Sequence, residues 1–362
     1  MTFSFSIGRT ARALAAAALT AAAAPACAQT IGVVAPLTDA MALLGNQMRQ
    51  GVEVAAAERG IAADRLRFVD DACTAEGGKR AAVDLIAEGV SIVIGFLCTE
   101  AIEAALPLFK EAAIPVITPG VRTDSLTERR DRTGWPVWRI APRADGERDA
   151  AAALLLPRWR DALYALVDDG TIYGRELIES FRLAAETAGL KAVFVDTYRP
   201  QMENQVGLLG RLRRAGATHV LVGGDRLDVA VMARDAAELN YPITIAGGEN
   251  LRAADADVPL REGVLMVGLP EPADVAAPEV LEAFAAREVI PEGYVLPAYA
   301  ALEIAAQSLV EAEMAGSSVA AALASKTFDT ALGPIRFDDK GDLSESPYGL
   351  FRYDGQKFVP AS

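Results

Sequence analysis

Residues 91–120 read SIVIGFLCTEAIEAALPLFKEAAIPVITPG, and this stretch carries the repeating unit of the fold. Residues 91–96 are a short apolar run, residues 101–112 read as a helix, and residues 115–118 are a second apolar run. Apolar runs of four to six residues bounded by turns suit strands covered on both faces, as in a parallel sheet. Strand, helix and strand in quick succession predict an α/β architecture.

The same rhythm continues outward. Upstream, strands are expected at residues 31–35 and 66–69, with helices at 45–58 and 75–88. Downstream, residues 121–138 break the pattern. They hold Glu128-Arg129-Arg130-Asp131-Arg132 and are expected to form a long surface excursion. A second series then begins, with strands at 162–167, 192–195, 219–222 and 243–246 and helices at 145–158, 173–188, 206–215 and 228–239. A further strand at 264–269, helices at 282–287 and 298–314, and late strands at 333–338 and 348–353 complete the chain. Asp339-Lys340-Gly341-Asp342 reads as a turn. Two βα series of similar length predict two doubly wound parallel-sheet lobes.

The first 28 residues stand apart. Arg9 and Arg12 precede an apolar stretch over residues 13–24, and Ala26-Cys27-Ala28 offers the small-x-small pattern of a cleaved export signal. Acylation of Cys27 is the competing reading of that end. The stretch is shorter than the ~20 apolar residues of a membrane-spanning helix. The whole chain has 35 basic and 49 acidic residues, a net charge of −14. Without Arg9 and Arg12 the balance is 33 minus 49, or −16. Nucleic acid is therefore not an expected partner, since phosphate binding needs a basic face. Cys73 and Cys98 remain after cleavage, and in an oxidising compartment a lone pair reads as one disulfide. A two-thiolate metal site or a reactive thiol are the alternatives.

Signatures of chemistry are sparse. There is no G-x-S-x-G elbow, no phosphate-binding loop with Lys-Ser/Thr, and no G-x-G-x-x-G after the first strand. His219 is the one histidine, so neither a histidine-based triad nor a histidine metal site is expected. Asp70-Asp71 and Asp168-Asp169 follow strands and read as turn and cap residues. No catalytic residue, metal or cofactor is expected, and an enzyme would need a group that these patterns do not reveal.

Ligand capture is the remaining expectation. Open α/β sheets bind ligands beyond the carboxyl ends of their strands, on loops and helix starts. Cys98-Thr99-Glu100 opens a helix, where free N–H groups and a hydroxyl suit a carboxylate. Pro119-Gly120-Val121-Arg122-Thr123, the loop from Asp168 to Gly174, Gly223-Gly224-Asp225-Arg226 and Gly247-Gly248-Glu249-Asn250 occupy equivalent places.

At these residues the chain resembles the periplasmic Leu/Ile/Val-binding proteins, the receptors of branched-chain-type amino-acid importers. Asp70-Asp71-Ala72-Cys73 with Ile94-Gly95-Phe96-Leu97-Cys98-Thr99 matches their paired-cysteine segment. Thr118-Pro119-Gly120, Tyr173-Gly174, Gly247-Gly248-Glu249 and Gly333-Pro334 with the turn at 339–342 follow in the same order. The resemblance spans essentially all of the chain after residue 28.

It implies a type I periplasmic binding protein fold with three crossovers, near residues 140–143, 268–270 and 341–347. One lobe would comprise residues 29–141 and 270–341, the other 142–269 and 342–362. It implies that Thr99 holds a ligand α-carboxylate. Thr118 and Gly120 would form a wall whose main-chain carbonyl receives an α-ammonium, and Glu249 would pair with that ammonium. Tyr173 and Tyr294 would supply aromatic walls. Arg122 stands where the family has a small hydroxyl residue, and Thr123 fills that role only with a one-residue shift. Leu44 replaces an aromatic residue, and Asp225-Arg226 replace two tyrosines. Arg122 and Arg226 thus point to a second acidic group on the ligand, or to an aromatic or dicarboxylic acid without an ammonium; the alternative is that either faces solvent or pairs with Asp225 or Asp124. The implied protein is a periplasmic monomer that closes over its ligand and meets the membrane permease of an ABC importer. A sensor that hands its signal to a membrane receptor is the alternative.

Overall fold

The computed structural model describes residues 1–2, 29–254 and 256–361. From residue 3 onward the expected export segment, Cys27 included, lies outside the described residues. The first part of the chain forms β1 (Ile31–Ala35), α1 (Ala42–Glu58), β2 (Leu66–Asp70), α2 (Ala75–Ala87), β3 (Ile92–Gly95), α3 (Thr99–Glu111) and β4 (Val116–Thr118). Two short helices, α4 (Ser125–Glu128) and α5 (Arg130–Thr133), then lead to β5 (Val137–Arg139). These strands make one parallel sheet in the order β2-β1-β3-β4-β5.

The second series is α6 (Gly146–Trp159), β6 (Tyr164–Asp168), α7 (Ile172–Thr187), β7 (Phe194–Thr197), α8 (Val206–Arg214), β8 (His219–Gly223), α9 (Arg226–Glu238), β9 (Thr244–Gly247) and β10 (Leu265–Gly268). Next come α10 (Pro272–Val275), α11 (Pro278–Ala285), α12 (Val295–Ala315), α13 (Val319–Ser325) and the antiparallel pair β11 (Phe328–Thr330) and β12 (Gly333–Ile335). The chain ends in β13 (Gly349–Tyr353) and β14 (Phe358–Pro360). The second sheet runs β14-β13-β10-β9-β8-β6-β7, parallel from β6 to β10, with β13 and β14 antiparallel at one edge. Both parallel stretches share one strand order: second, first, third, fourth, fifth.

The sequence explains this layering. Every residue of β1, β3 and β6 is buried, because helices cover both faces of each sheet. In the first lobe α1 and α12 pack together on one face and α2 and α3 on the other. In the second, α8 and α9 cover one face and α6 and α7 the other. The chain passes between the lobes three times: from β5 to α6, from β10 to α12, and from β12 to β13.

Residues 121–138 correct the expectation of a surface excursion. Val121, Leu126, Thr127, Val137 and Trp138 are buried, and β5 adds a fifth strand to the sheet. The charges that dominate this stretch mostly line its outer side, where Glu128, Arg129, Asp131 and Arg132 are exposed. Arg130 lies with its guanidinium 4.5 Å from the Trp138 ring. Cys73 and Cys98 form a disulfide across 25 residues, which ties the β2–α2 turn to the start of α3. Among the described residues no helix is long and apolar enough to cross a membrane.

Candidate functional site

The carboxyl ends of β3, β4, β6 and β9 bring most of the expected residues together. Thr99 opens α3, and the preceding Cys98 supplies no side-chain cap to the free N–H groups of the first turn. The Thr99 hydroxyl lies 2.6 Å from that of Thr123. The one-residue shift therefore brings a second hydroxyl beside the helix start. Such a pair, with helix N–H groups nearby, is a seat for an anionic oxygen.

Thr118 is built into the turn after β4. It is fully buried, its Oγ1 donates to the Phe96 carbonyl at 3.1 Å, and that same oxygen accepts from the Val121 N–H at 3.2 Å. Its carbonyl accepts from the Ile140 N–H at 3.0 Å. Thr118 thus shapes the turn, and its hydroxyl is taken up by backbone partners. Gly120 lies against Leu97 and Tyr294, and a Cβ there would stand 2.3 Å from Leu97 Cδ2 and 3.1 Å from Tyr294 Cε1. Tyr294 and Gly120 thus lie side by side.

Arg122 is the hub. Its Nε donates to the Pro142 carbonyl at 3.2 Å, its Nη2 donates to the Tyr348 hydroxyl at 2.5 Å, and Nη2 stands 3.6 Å from Glu249 Oε2. One guanidinium from the first lobe thereby touches two of the crossing segments and the second lobe. Arg122 and Glu249 are both partly exposed, so solvent screens the pair.

Tyr173 reaches Glu249 through a residue that sequence reasoning missed. Glu147, in the first turn of α6, accepts at Oε1 from the Tyr173 hydroxyl at 2.8 Å and from the Glu249 N–H at 2.6 Å. It is only 6% exposed. Burial pushes its pKa above the ordinary carboxylate value, and the charge of Glu249 acts in the same direction. Burial likewise raises the phenol pKa values of Tyr173 and Tyr348. Gly248 has room for no side chain, because a Cβ would lie 2.1 Å from both Glu147 Oε1 and the Tyr173 hydroxyl. Thr171 caps α7 by accepting from the Gly174 N–H at 3.0 Å, which fixes the turn that presents Tyr173. Tyr348 was also missed. Glu147 looks in sequence like an ordinary first-turn acid, and Tyr348 like any strand-edge aromatic.

The other second-lobe candidates are placed elsewhere. Arg226 is buried, donates to the Leu251 carbonyl at 2.5 Å, and has its guanidinium 5.2 Å from the Tyr353 ring and 6.0 Å from that of Phe358. It belongs to the packing of the second lobe, a correction to its expected place in the cleft. Asp225 is exposed at the start of α9 and makes no side-chain cap there. His219 bonds Thr218 and packs its ring on Trp159, with its pKa lowered by burial. The Asp168 and Asp169 carboxylates accept from the N–H groups of Gly170 and Thr171, as turn residues do. A surface hollow of about 560 Å³ beside Tyr241, Pro242 and Arg261 lies at the amino ends of β9 and β10, away from this cluster.

A two-lobed fold with polar side chains converging from both lobes is the architecture of a ligand trap. The family model described as periplasmic binding protein matches residues 28–357. This chain belongs to that family. Among its relatives, this periplasmic binding protein is 28% identical over 343 residues to Leu/Ile/Val-binding protein homolog 3 of Brucella melitensis, covering 91% of this chain and 92% of that one. A solved structure from Rhodospirillum rubrum superposes with a TM-score of 0.76 at 17% identity, covering 92% of this chain and 100% of that chain. A solute binding protein of an ABC transporter from R. palustris, solved with benzoate, gives a TM-score of 0.57 at 19% identity over 91% and 94% of the two chains. The fold of this periplasmic binding protein is the two-lobed type I fold with three crossovers.

Proposed function

We propose that the chain is the exported solute receptor of an ABC importer, capturing an amino acid or related small carboxylate between its lobes without chemistry on it. The observation that carries this reading is the Thr99–Thr123 hydroxyl pair at the start of α3, with Arg122 and Glu249 meeting across the lobes beside it. The hydroxyls and helix N–H groups hold the ligand carboxylate, Tyr173 and Tyr294 flank the remainder, and Glu249 offers an acid. On this reading residues 29–141 with 270–341 close against residues 142–269 with 342–362 as hinged bodies. The protein works in the periplasm as a monomer after removal of residues 1–28, and presents its closed form to membrane permease subunits.

The names of relatives support both ligand classes, Leu/Ile/Val in one and benzoate in another. A carboxylate without an ammonium is the second reading, and the Arg122–Glu249 contact favours it, because Arg122 already supplies a cation to Glu249. Calorimetric titration against a panel of amino acids and aromatic acids tests the function. Micromolar binding, worth about −8 kcal/mol, is expected for members of one class. Arg122→Ala should weaken that binding about tenfold or more, since charge-assisted hydrogen bonds are worth about 1.5–3 kcal/mol. A folded wild-type protein that gives no heat with any panel member would falsify the receptor reading.

A further inference from the structure

The loop after β4 is mounted on the first crossing. The Arg122 carbonyl accepts from the Ala144 N–H at 2.9 Å, Arg122 Nε donates to the Pro142 carbonyl at 3.2 Å, and Asp124 Oδ1 accepts from the Asp145 N–H at 3.2 Å. These bonds fix the root of the Arg122 side chain. Its far end reaches the other lobe, where Nη2 donates to the Tyr348 hydroxyl at 2.5 Å and stands 3.6 Å from Glu249 Oε2. Both partners are held by second-lobe groups. Tyr348 is buried in the core that includes α6, with its ring against Gly146, and the Glu249 N–H donates to Glu147 at 2.6 Å. The guanidinium thus joins a fixed root to two fixed partners, and the contact costs little beyond the ordering of one side chain.

We propose that Arg122 is a latch between the lobes, whose bonds to Tyr348 and Glu249 set the balance of closed and open forms before any ligand enters. This rests on the two-lobed fold and goes beyond the receptor reading, because it is indifferent to what the cleft binds. Opening parts Arg122 from Tyr348 and Glu249, while its bonds to residues 142–144 stay with the crossing. The two contacts differ in kind. The Glu249 pair is partly exposed, so added salt screens it. The bond to the buried Tyr348 hydroxyl is a short-range contact with a neutral group, which salt weakens little. The latch therefore has a salt-sensitive half and a salt-resistant half. A ligand that needs the closed form gains affinity by the same factor as any other from a latch that favours closure.

Small-angle X-ray scattering of the purified, ligand-free protein at about 0.02 M and about 0.5 M salt tests this, with thermal melting to establish that each variant is folded. The closed-to-open ratio of wild type should fall about twofold to fivefold over that range. Glu249→Gln should abolish the salt response. Tyr348→Phe keeps the ring and its packing, and should lower the ratio about fivefold at low salt while keeping the response. Arg122→Ala should lower the ratio about tenfold and no longer respond to salt. Where Arg122→Ala does not fold, the Tyr348→Phe, Glu249→Gln double variant takes its place with the same expectation. Two results overturn the latch and leave the receptor role untouched: scattering of Arg122→Ala or the double variant that matches wild type at both salt concentrations, or a wild-type salt response that survives in Glu249→Gln.

Discussion

Asp71 shows how a single buried group leaves a mark on stability. One of its oxygens accepts from the Cys73 N–H at 3.0 Å, and the other is buried without a partner among the described residues. Burial raises its pKa, and the negative charges of Asp70 and Glu100 add to the rise. The folded chain therefore keeps this proton to a higher pH than the unfolded chain, which loses it near the ordinary value of 3.8. Above that value the folded state binds more protons, so stability falls as pH rises towards the raised pKa. Asp71→Asn should remove this decline. Chemical denaturation in steps from about pH 4 to about pH 7 should show wild type losing stability relative to the variant; parallel curves would contradict the account. Residues with local roles were readable in the sequence: Thr99 as a hydroxyl at a helix start, Asp168 and Asp169 as turn acceptors. Glu147 and Tyr348 were not, because their partners Glu249 and Arg122 lie 102 and 226 residues away. No local pattern encodes a meeting over such distances. Arg226 misled for the same reason: an arginine in a loop at a strand end reads as cleft-facing until the Tyr353 and Phe358 rings claim it.

Among the elements, α3 is the one whose start must be held still. Its first residue is Thr99, and the Cys73–Cys98 disulfide fixes the position just before it. Closing a loop of this length contributes about 3 kcal/mol by restricting the unfolded chain. A Cys73→Ser, Cys98→Ser double variant should lose about that much in urea unfolding, and ligand affinity should fall with it as α3 loosens. Unchanged affinity in a destabilised variant would show that the helix start is held by packing alone. Long elements with strong periodicity, α1 and α12, and the strands of both parallel stretches other than β5 were legible in the sequence to within a few residues. β5, β11 and β14 were not, each being three residues long and thus too short to show a period. β5 is also disguised by Arg139, a charge that a buried strand carries only because Asp342 meets it.

For the whole molecule, the joint between the lobes is ionic and buried. Arg139 is fully buried, and donates to Asp342 Oδ1 through Nε at 2.8 Å and through Nη2 at 2.5 Å. Thr127 donates to the second Asp342 oxygen at 2.8 Å, and Arg139 Nη1 reaches the carbonyl of Thr123 at 2.7 Å. The third crossing is thereby tied to β5 and to the loop after β4 at once. Asp342→Ala leaves a buried guanidinium unpaired and should cost about 3–5 kcal/mol, measured by denaturant unfolding. A loss below ~1 kcal/mol would mean that the guanidinium finds another acceptor or reaches water. The threading of the chain has a temporal consequence as well. α12 covers the face of the first sheet beside α1, yet it is synthesised only after the whole parallel part of the second lobe. A nascent chain that has emerged as far as β5 carries five strands with one side covered by α1 alone, and contacts so distant in sequence form slowly. Neither half can finish while the ribosome is still at work on the other. The polypeptide thus stays pliable until almost all of it exists.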